Sequence, residues 1–242
     1  MNNQIIAPFL RKRWEYANKK VKALNEQLFP QSSYIRIDQT LSNGVGTYVF
    51  DPMRQNGQQD TYGQLLNRND LFLMYGIGLQ LSYELTANPG AGVLASSLSD
   101  LVAKAKVLGS TDTIPVGVQS VFNGALTLQT GTTQTLAALE TKIFDISHQA
   151  ANSGIDSTAV VSIDSSIADE IFYTPEMIAF AGTKEQSFQL KFPCANTTVF
   201  QPDSSPKGVV GVSIFMLGFL VKNGALELEN YKGDVNDFLA PE

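Results

Sequence analysis

The sequence predicts an all-β protein of two tandem β modules, with an amphipathic helix at the N-terminus and one short inserted helix. After residue 30, short apolar segments alternate with turn residues about every ten residues, a pattern typical of β-sandwiches and jelly rolls. Residues 116–130 and 210–230 also share a pattern: each runs from Val-Gly-Val through an apolar stretch into Asn-Gly-Ala-Leu. We interpret this repeat as the same hairpin occurring once in each of two modules.

The N-terminal helix is predicted over residues 9–28. Its apolar side chains recur at spacings of three and four and would form one narrow stripe: Leu10, Trp14, Ala17, Val21, Leu24 and Leu28. Pro8 suits the first turn of a helix and Pro30 would end it. The basic residues fall mainly off this stripe. We expect that deleting residues 1–28 leaves the β body folded and weakens its association with anionic vesicles.

The other elements follow from local patterns. Asn43-Gly44 predicts a type I′ hairpin between two strands, and Asn123-Gly124 and Asn223-Gly224 predict the repeated hairpins. In residues 70–86, Gly76 and Gly78 predict a strand bent by a bulge, or two strands in succession, rather than a helix. Residues 93–108 predict a helix. Further strands are predicted at 136–146, 157–163, 171–173, 188–192 and 197–200.

Charge is distributed unevenly along the chain. The formal net charge is -6 and the isoelectric point is near 4.8, which argues against a β body that binds nucleic acid. Within residues 1–28, however, only Glu15 and Glu26 oppose a cluster of cations, namely Arg11, Lys12, Arg13, Lys19, Lys20 and Lys22. A basic helix on an acidic body predicts a protein with two different sides.

The sequence offers little for catalysis. With one cysteine and one histidine, an internal disulfide, a cysteine metal cage and a histidine-rich site are excluded. We expect a structural or surface role for His148, because its neighbour Ser147 would point to the opposite face of a strand and could not be activated by it. We expect Cys194 to be a small buried apolar residue. Asp164, Asp169 and Glu170 could bind Ca²⁺, but their spacing fits no EF-hand loop. We therefore expect no enzymatic activity, no cofactor and no metal.

The six basic residues of the helix are the one candidate functional site, and two interpretations stay open. In the first, the apolar stripe packs on the body and the cations are simply solvated. In the second, the cationic face binds an anionic partner, either lipid head groups or packaged nucleic acid.

The chain resembles the double jelly-roll major capsid proteins of small, tailless, membrane-containing icosahedral bacteriophages. The resemblance rests on residues 65–85 (LLNRNDLFLMYGIGLQLSYEL) and on the paired segments VFNGALTLQ and VKNGALELE. It implies a basic helix at 1–30, a first jelly roll at 31–141, a second jelly roll at 142–233 and an acidic tail at 234–242.

The resemblance also implies a function and partners. The chain would be a self-assembling capsid subunit that forms a homotrimer and then a lattice of trimers, together with penton and minor capsid proteins. The helix would face the interior, where residues 9–28 would meet the anionic lipid of an internal membrane or packaged nucleic acid. Charges follow the short apolar run at residues 1–14, unlike a secretory signal, so we expect synthesis in the host cytoplasm and a location in the virion.

One alternative function comes from a different class. A β-sandwich that binds a ligand or carbohydrate, such as a phage adhesin or tail component, could use Tyr62 and Tyr231 in its loops to stack on sugars. Such a protein would bind glycans as a monomer, whereas a capsid subunit would assemble.

Overall fold

The computed structural model describes residues 3–53, 65–87, 92–130, 133–146, 171–202 and 208–230. Three helices and nine strands lie in these ranges, in the chain order α1 (Asn3–Leu24), β1 (Gln31–Thr40), β2 (Thr47–Phe50), β3 (Leu71–Leu85), β4 (Gly92–Ala95), α2 (Leu98–Val107), β5 (Ala125–Thr130), β6 (Thr133–Glu140), β7 (Ile171–Ala181), β8 (Gln186–Lys191), β9 (Gly208–Val221) and α3 (Gly224–Asn230). Two 3-10 helices, Val116–Asn123 and Thr141–Phe144, flank β5 and β6.

The strands form two antiparallel sheets. In the first sheet, β1 pairs with β9 and β9 pairs with β3. The far edge of β3 is long enough to pair with β7 along one part and with β4 along another. The second sheet has the order β2-β8-β5-β6. If β4 is set aside as an insertion, consecutive strands lie in different sheets except for β5 and β6, and these orders are those of one jelly roll.

A single apolar core fills the space between the sheets. Alternate side chains of each strand point inward, so that Phe72 and Phe180 of the first sheet meet Phe50 and Phe188 of the second in one buried cluster. The rings of Phe180 and Phe188 stack with centroids 5.8 Å apart. The two sheets therefore form a β-sandwich.

We expect Phe188→Ala to lower the free energy of unfolding by about 3–5 kcal/mol, because it removes a fully buried ring from between the sheets and leaves a cavity. Urea unfolding measures this change. Gln189→Ala is the matched control, since Gln189 is exposed on the same strand. Equal effects of the two substitutions would contradict the placement of Phe188 in the core.

The predicted mainly-β fold is confirmed, but the tandem arrangement of two jelly rolls is not. Both sheets combine strands from either side of residue 141: β1 pairs with β9, and β2 pairs with β8. The ranges 31–141 and 142–233 therefore contribute to the same sandwich and do not form separate pairs of sheets in the part of the chain that is described. The tail at 234–242 lies outside the described residues.

The three Asn-Gly pairs do not form the predicted hairpins. β1 and β2, on either side of Asn43-Gly44, belong to different sheets. Gly44 has φ +75°, but the side-chain oxygen of Asn43 instead accepts hydrogen bonds from the backbone N–H groups of Phe200 and Gln201 at 2.7 and 3.0 Å. The asparagine therefore ties two loops together.

The second and third pairs occur at ends of helices. Residues 116–123 form a 3-10 helix rather than a strand, and Asn123-Gly124 leads from it into β5. Asn223 has φ 60°, and the residues after it form α3 rather than an alternating strand. The interpretation of a repeated hairpin is therefore wrong.

The other local predictions had mixed outcomes. Residues 71–85 form one strand with a register shift between Met74 and Gly76, as the glycines predicted. The predicted helix at 93–108 divides into β4 and α2, because the hydroxyl of Ser97 caps the backbone N–H of Asp100 and starts the helix there. Residues 197–200 are not a strand, and residues 157–163 lie outside the described ranges.

A cation-bearing face on helix α1

Helix α1 lies on the outer surface of the first sheet. It spans Asn3–Leu24 rather than 9–28, and Ala17 and Val21 are fully buried. The side chains of the predicted stripe pack in a second apolar cluster with outward residues of β3, β9 and α3, namely Leu71, Leu73, Tyr75, Phe219, Val221, Ala225 and Leu228. The stripe is therefore confirmed as part of the packed structure.

Specific contacts fix the orientation of the helix. The indole N–H of Trp14 donates to the carbonyl of Pro30 at 3.3 Å, and its ring lies edge-on to Phe29 with centroids 5.7 Å apart. Just beyond the helix, the side-chain amide of Asn25 donates to a carboxylate oxygen of Glu227 on α3 at 3.0 Å. These bonds fix which side of α1 faces outward.

One of the six predicted cations, Arg13, points into the protein. Its guanidinium donates to the carbonyl of Thr174 at 2.5 Å and to that of Tyr75 at 3.2 Å, and it lies 4.2 Å from the centroid of the Phe9 ring. The pairing of β3 with β7 breaks at this point, between Met74 and Gly76. Arg13 therefore satisfies carbonyls that the ladder does not pair, and burial lowers the pKa of its guanidinium.

We expect Arg13→Met to lower the free energy of unfolding by about 1–3 kcal/mol, because two half-buried carbonyls lose their donor. Arg13→Lys should recover only part of this loss, since an ammonium cannot reproduce the two-pronged geometry. Urea unfolding is the measurement, with the exposed Lys12→Met as control. A variant as stable as the wild type would show that Arg13 is merely solvated.

Four of the other cations lie on the outward side of α1. At about 100° per residue, Arg11, Lys12, Lys19 and Lys22 fall within one sector of about 100°, opposite the buried stripe. All four are exposed. Along the axis they cover about 17 Å, at 1.5 Å per residue. We call these four residues the cationic ridge.

Two further charged residues, Glu15 and Lys20, lie in or beside this sector of the helix. Glu15 lies in the same sector and pairs with Arg11 at 2.9 Å, but such an exposed pair is weak and can open to admit another anion. Lys20 lies on the flank of the helix, 5.5 Å from the centroid of the Tyr16 ring. The cationic ridge thus carries a local net charge of +3 once Glu15 is included.

Of the other candidate groups, only Cys194 lies in the described part of the chain. Cys194 is half-buried and its thiol donates to the carbonyl of Ala195 at 3.4 Å. His148, Asp164, Asp169 and Glu170 fall within 147–170, which is not described. Among the described residues, no three His, Cys, Asp or Glu side chains are grouped so as to hold a metal ion.

A buried polar cluster was not foreseen from the sequence. The hydroxyl of Tyr83 donates to a carboxylate oxygen of Asp112 at 2.7 Å, and the same oxygen accepts the backbone N–H of Gly208 at 2.9 Å. Burial raises the pKa of Tyr83. Asp112 thereby joins the start of β9 to β3, which is a structural role.

Comparisons with known proteins give no relative: no family model, curated protein or solved structure matches the chain. In the described part of the chain, the helices are too short or too polar to cross a membrane.

Proposed function

We propose that the chain is a structural protein, a self-assembling viral major capsid subunit whose helix α1 faces the interior of the shell. The observation that carries the proposal is the cationic ridge, held in a fixed orientation on a sandwich whose remaining residues are acidic overall. The capsid proteins that the sequence resembles have two jelly rolls in tandem. This arrangement is not part of the proposal, because each sheet here contains strands from both halves of the chain.

The cations of the ridge are presented on a rigid surface. Because the stripe of α1 is buried against β3, β9 and α3, Lys12, Lys19 and Lys22 point away from the sandwich without the helix having to fold on binding. A partner therefore does not have to order the helix, which removes an entropic cost that a disordered basic segment would carry.

The charge of the cationic ridge suits an anionic partner. Near an anionic membrane each Lys or Arg contributes about 1 kcal/mol. The ridge of one subunit thus gives weak binding, and an array of subunits gives strong binding. The partner we propose is the anionic lipid of an internal membrane or packaged nucleic acid, both of which present closely spaced phosphates.

The β-sandwich would be the body of the capsid subunit. Its two antiparallel sheets enclose one core and present two broad outer surfaces. Helix α1 covers the outer surface of the first sheet. The proposal needs no catalytic group, and it places the protein in a virion lattice of homotrimers with penton and minor capsid proteins. For the alternative, a carbohydrate-binding module, the proposed contacts Tyr62 and Tyr231 lie outside the described residues.

Negative-stain microscopy of the purified full-length chain tests the proposal. We expect trimers, hexagonal sheets or closed shells whose abundance rises with protein concentration. A protein that stays monomeric across pH and concentration would overturn the capsid function, and specific glycan binding by that monomer would favour the alternative.

A further inference from the structure

The outward surface of the second sheet is poor in charge. Its strands place Val49, Gln189 and Thr127 side by side in one row, by the registers of β2 with β8 and of β8 with β5. The exposed side chains of Lys191 and Glu140 lie in a neighbouring row, in which Lys191 is between Thr47 and Ala125 and Glu140 is beside Ala125. Their opposite charges cancel within the row. The chain segments 39–50 and 113–139, which contain β2, β5 and all of β6 except its last residue, Glu140, have no Asp, Glu, Lys or Arg.

Loops at one end of the sandwich extend this surface beyond the row that holds Lys191 and Glu140. The backbone N–H of Gly44 donates to the carbonyl of Thr198 at 2.9 Å, and a Cβ on Gly117 would lie 2.5 Å from the carbonyl of Val199. Three loops thus pack tightly together, and the third, 192–202, also has no charged residue. They expose Val45, Val116 and Val199 by 41%, 75% and 48%.

The sheet surface and the loop surface are continuous. Val45, Thr47 and Val49 alternate outward along one extended segment and are all exposed, with Val49 at 52%. We call the whole surface the neutral face; it comprises Val45, Thr47, Val49, Val116, Ala125, Thr127, Gln129, Gln189 and Val199. It lies on the sheet opposite the one that α1 covers.

The charge of the chain indicates what covers this face. Each copy carries a net charge of -6, so two copies that met through their acidic surfaces would repel each other. A surface with few charged side chains and no net charge removes this repulsion, and depletion of charged residues is the compositional mark of the centre of protein interfaces. Its β-branched side chains also have little rotamer freedom to lose on contact.

We infer that the neutral face is the contact through which copies of this chain meet. The inference rests on the proposed self-assembly and adds to it the surface that is used. In such an assembly the cationic ridge, which lies on the other side of the sandwich, is not covered by the contact between copies.

Charge introduction on the neutral face tests the inference. Val49→Glu and Thr127→Glu each place a carboxylate within it, and Val107→Glu is the matched control, because Val107 is 79% exposed on α2. Sedimentation velocity over a concentration series measures self-association, and far-UV circular dichroism with urea unfolding confirms that each variant is folded. We expect at least a tenfold weaker association for Val49→Glu and for Thr127→Glu, and none of this loss for Val107→Glu.

Three outcomes would contradict the inference, and they differ in whether they also contradict the proposed function. A wild-type chain that remains monomeric at every concentration overturns both the inference and the proposed function. Wild-type assembly that Val49→Glu and Thr127→Glu leave unchanged overturns the inference alone. If charge reversal on the ridge abolishes self-association while these two variants assemble normally, copies meet helix to body, and the inference is again overturned.

Discussion

Val21→Asp is expected to lower the free energy of unfolding by at least about 4 kcal/mol, from lost apolar burial and from a carboxylate placed without a partner between helix and sheet. Because small domains are stable by about 5–15 kcal/mol, this single change should remove much of the stability. Val21 is fully buried in the cluster that joins α1 to β3, β9 and α3. Urea or thermal unfolding measures the loss.

Ala23→Asp is the control for this substitution. Ala23 lies in the same helix turn but is exposed, so the change should cost no more than about 0.7 kcal/mol through helix propensity. If Val21→Asp were as mild as Ala23→Asp, the helix would be loosely attached and its cations would not be held in a fixed orientation.

The same packing reverses our expectation about deleting the helix. Without residues 1–28 the outward side chains of the first sheet, including Leu73, Tyr75 and Phe219, would lose their cover. An exposed apolar patch of this kind favours aggregation, so we now expect the truncated chain to be insoluble or unfolded. A soluble, cooperatively unfolding truncated chain would restore the expectation drawn from the sequence.

The sequence predicted the elements whose signals are local. The stripe of α1 and the glycine-marked bulge in β3 are periodic or positional features of short segments, and both are present. The sequence could not predict the pairing of β1 with β9, because that pairing depends on which distant strand lies beside which. Its Asn-Gly signals predicted turns correctly at Gly44 and Asn223 but did not tell a hairpin from a loop between sheets or a helix start.

The sequence predicted the directions of some of the basic side chains of α1 and not of others. Helical spacing placed Arg11, Lys12, Lys19 and Lys22 off the apolar stripe, as observed. Nothing in the local pattern distinguishes Arg13 from them, because its carbonyl partners lie 62 and 161 residues away along the chain. The need for a donor there arises from a bulge that only the assembled sheet creates.

The second large effect is expected from reversing the charge of the ridge. The triple variant Lys12→Glu, Lys19→Glu and Lys22→Glu changes the local charge of the ridge from +3 to -3. The loss of three cations at about 1 kcal/mol each weakens binding to an anionic membrane by about 150-fold, and the new carboxylates add repulsion. The three residues are exposed, so the sandwich should remain folded.

Co-sedimentation with vesicles containing phosphatidylserine measures this loss, and vesicles of phosphatidylcholine alone give the background. Wild-type binding should weaken between 0.05 and about 0.5 M salt, because the screening length falls well below 10 Å over this range. A gel-shift assay with single- and double-stranded DNA on the same samples decides between lipid and nucleic acid as the partner.

The control for the triple variant carries the same change in total charge. Lys106, Lys184 and Lys222 are exposed and lie outside α1, so their replacement by Glu makes the whole protein equally more acidic without changing the ridge. If both triple variants lose binding equally, the effect comes from total charge and the ridge has no special role. If neither loses binding, the cations of α1 are simply solvated, and the outward side of the helix serves only as its polar, solvent-facing surface. Selective loss in the ridge variant alone is the result that the fixed orientation of α1 leads us to expect.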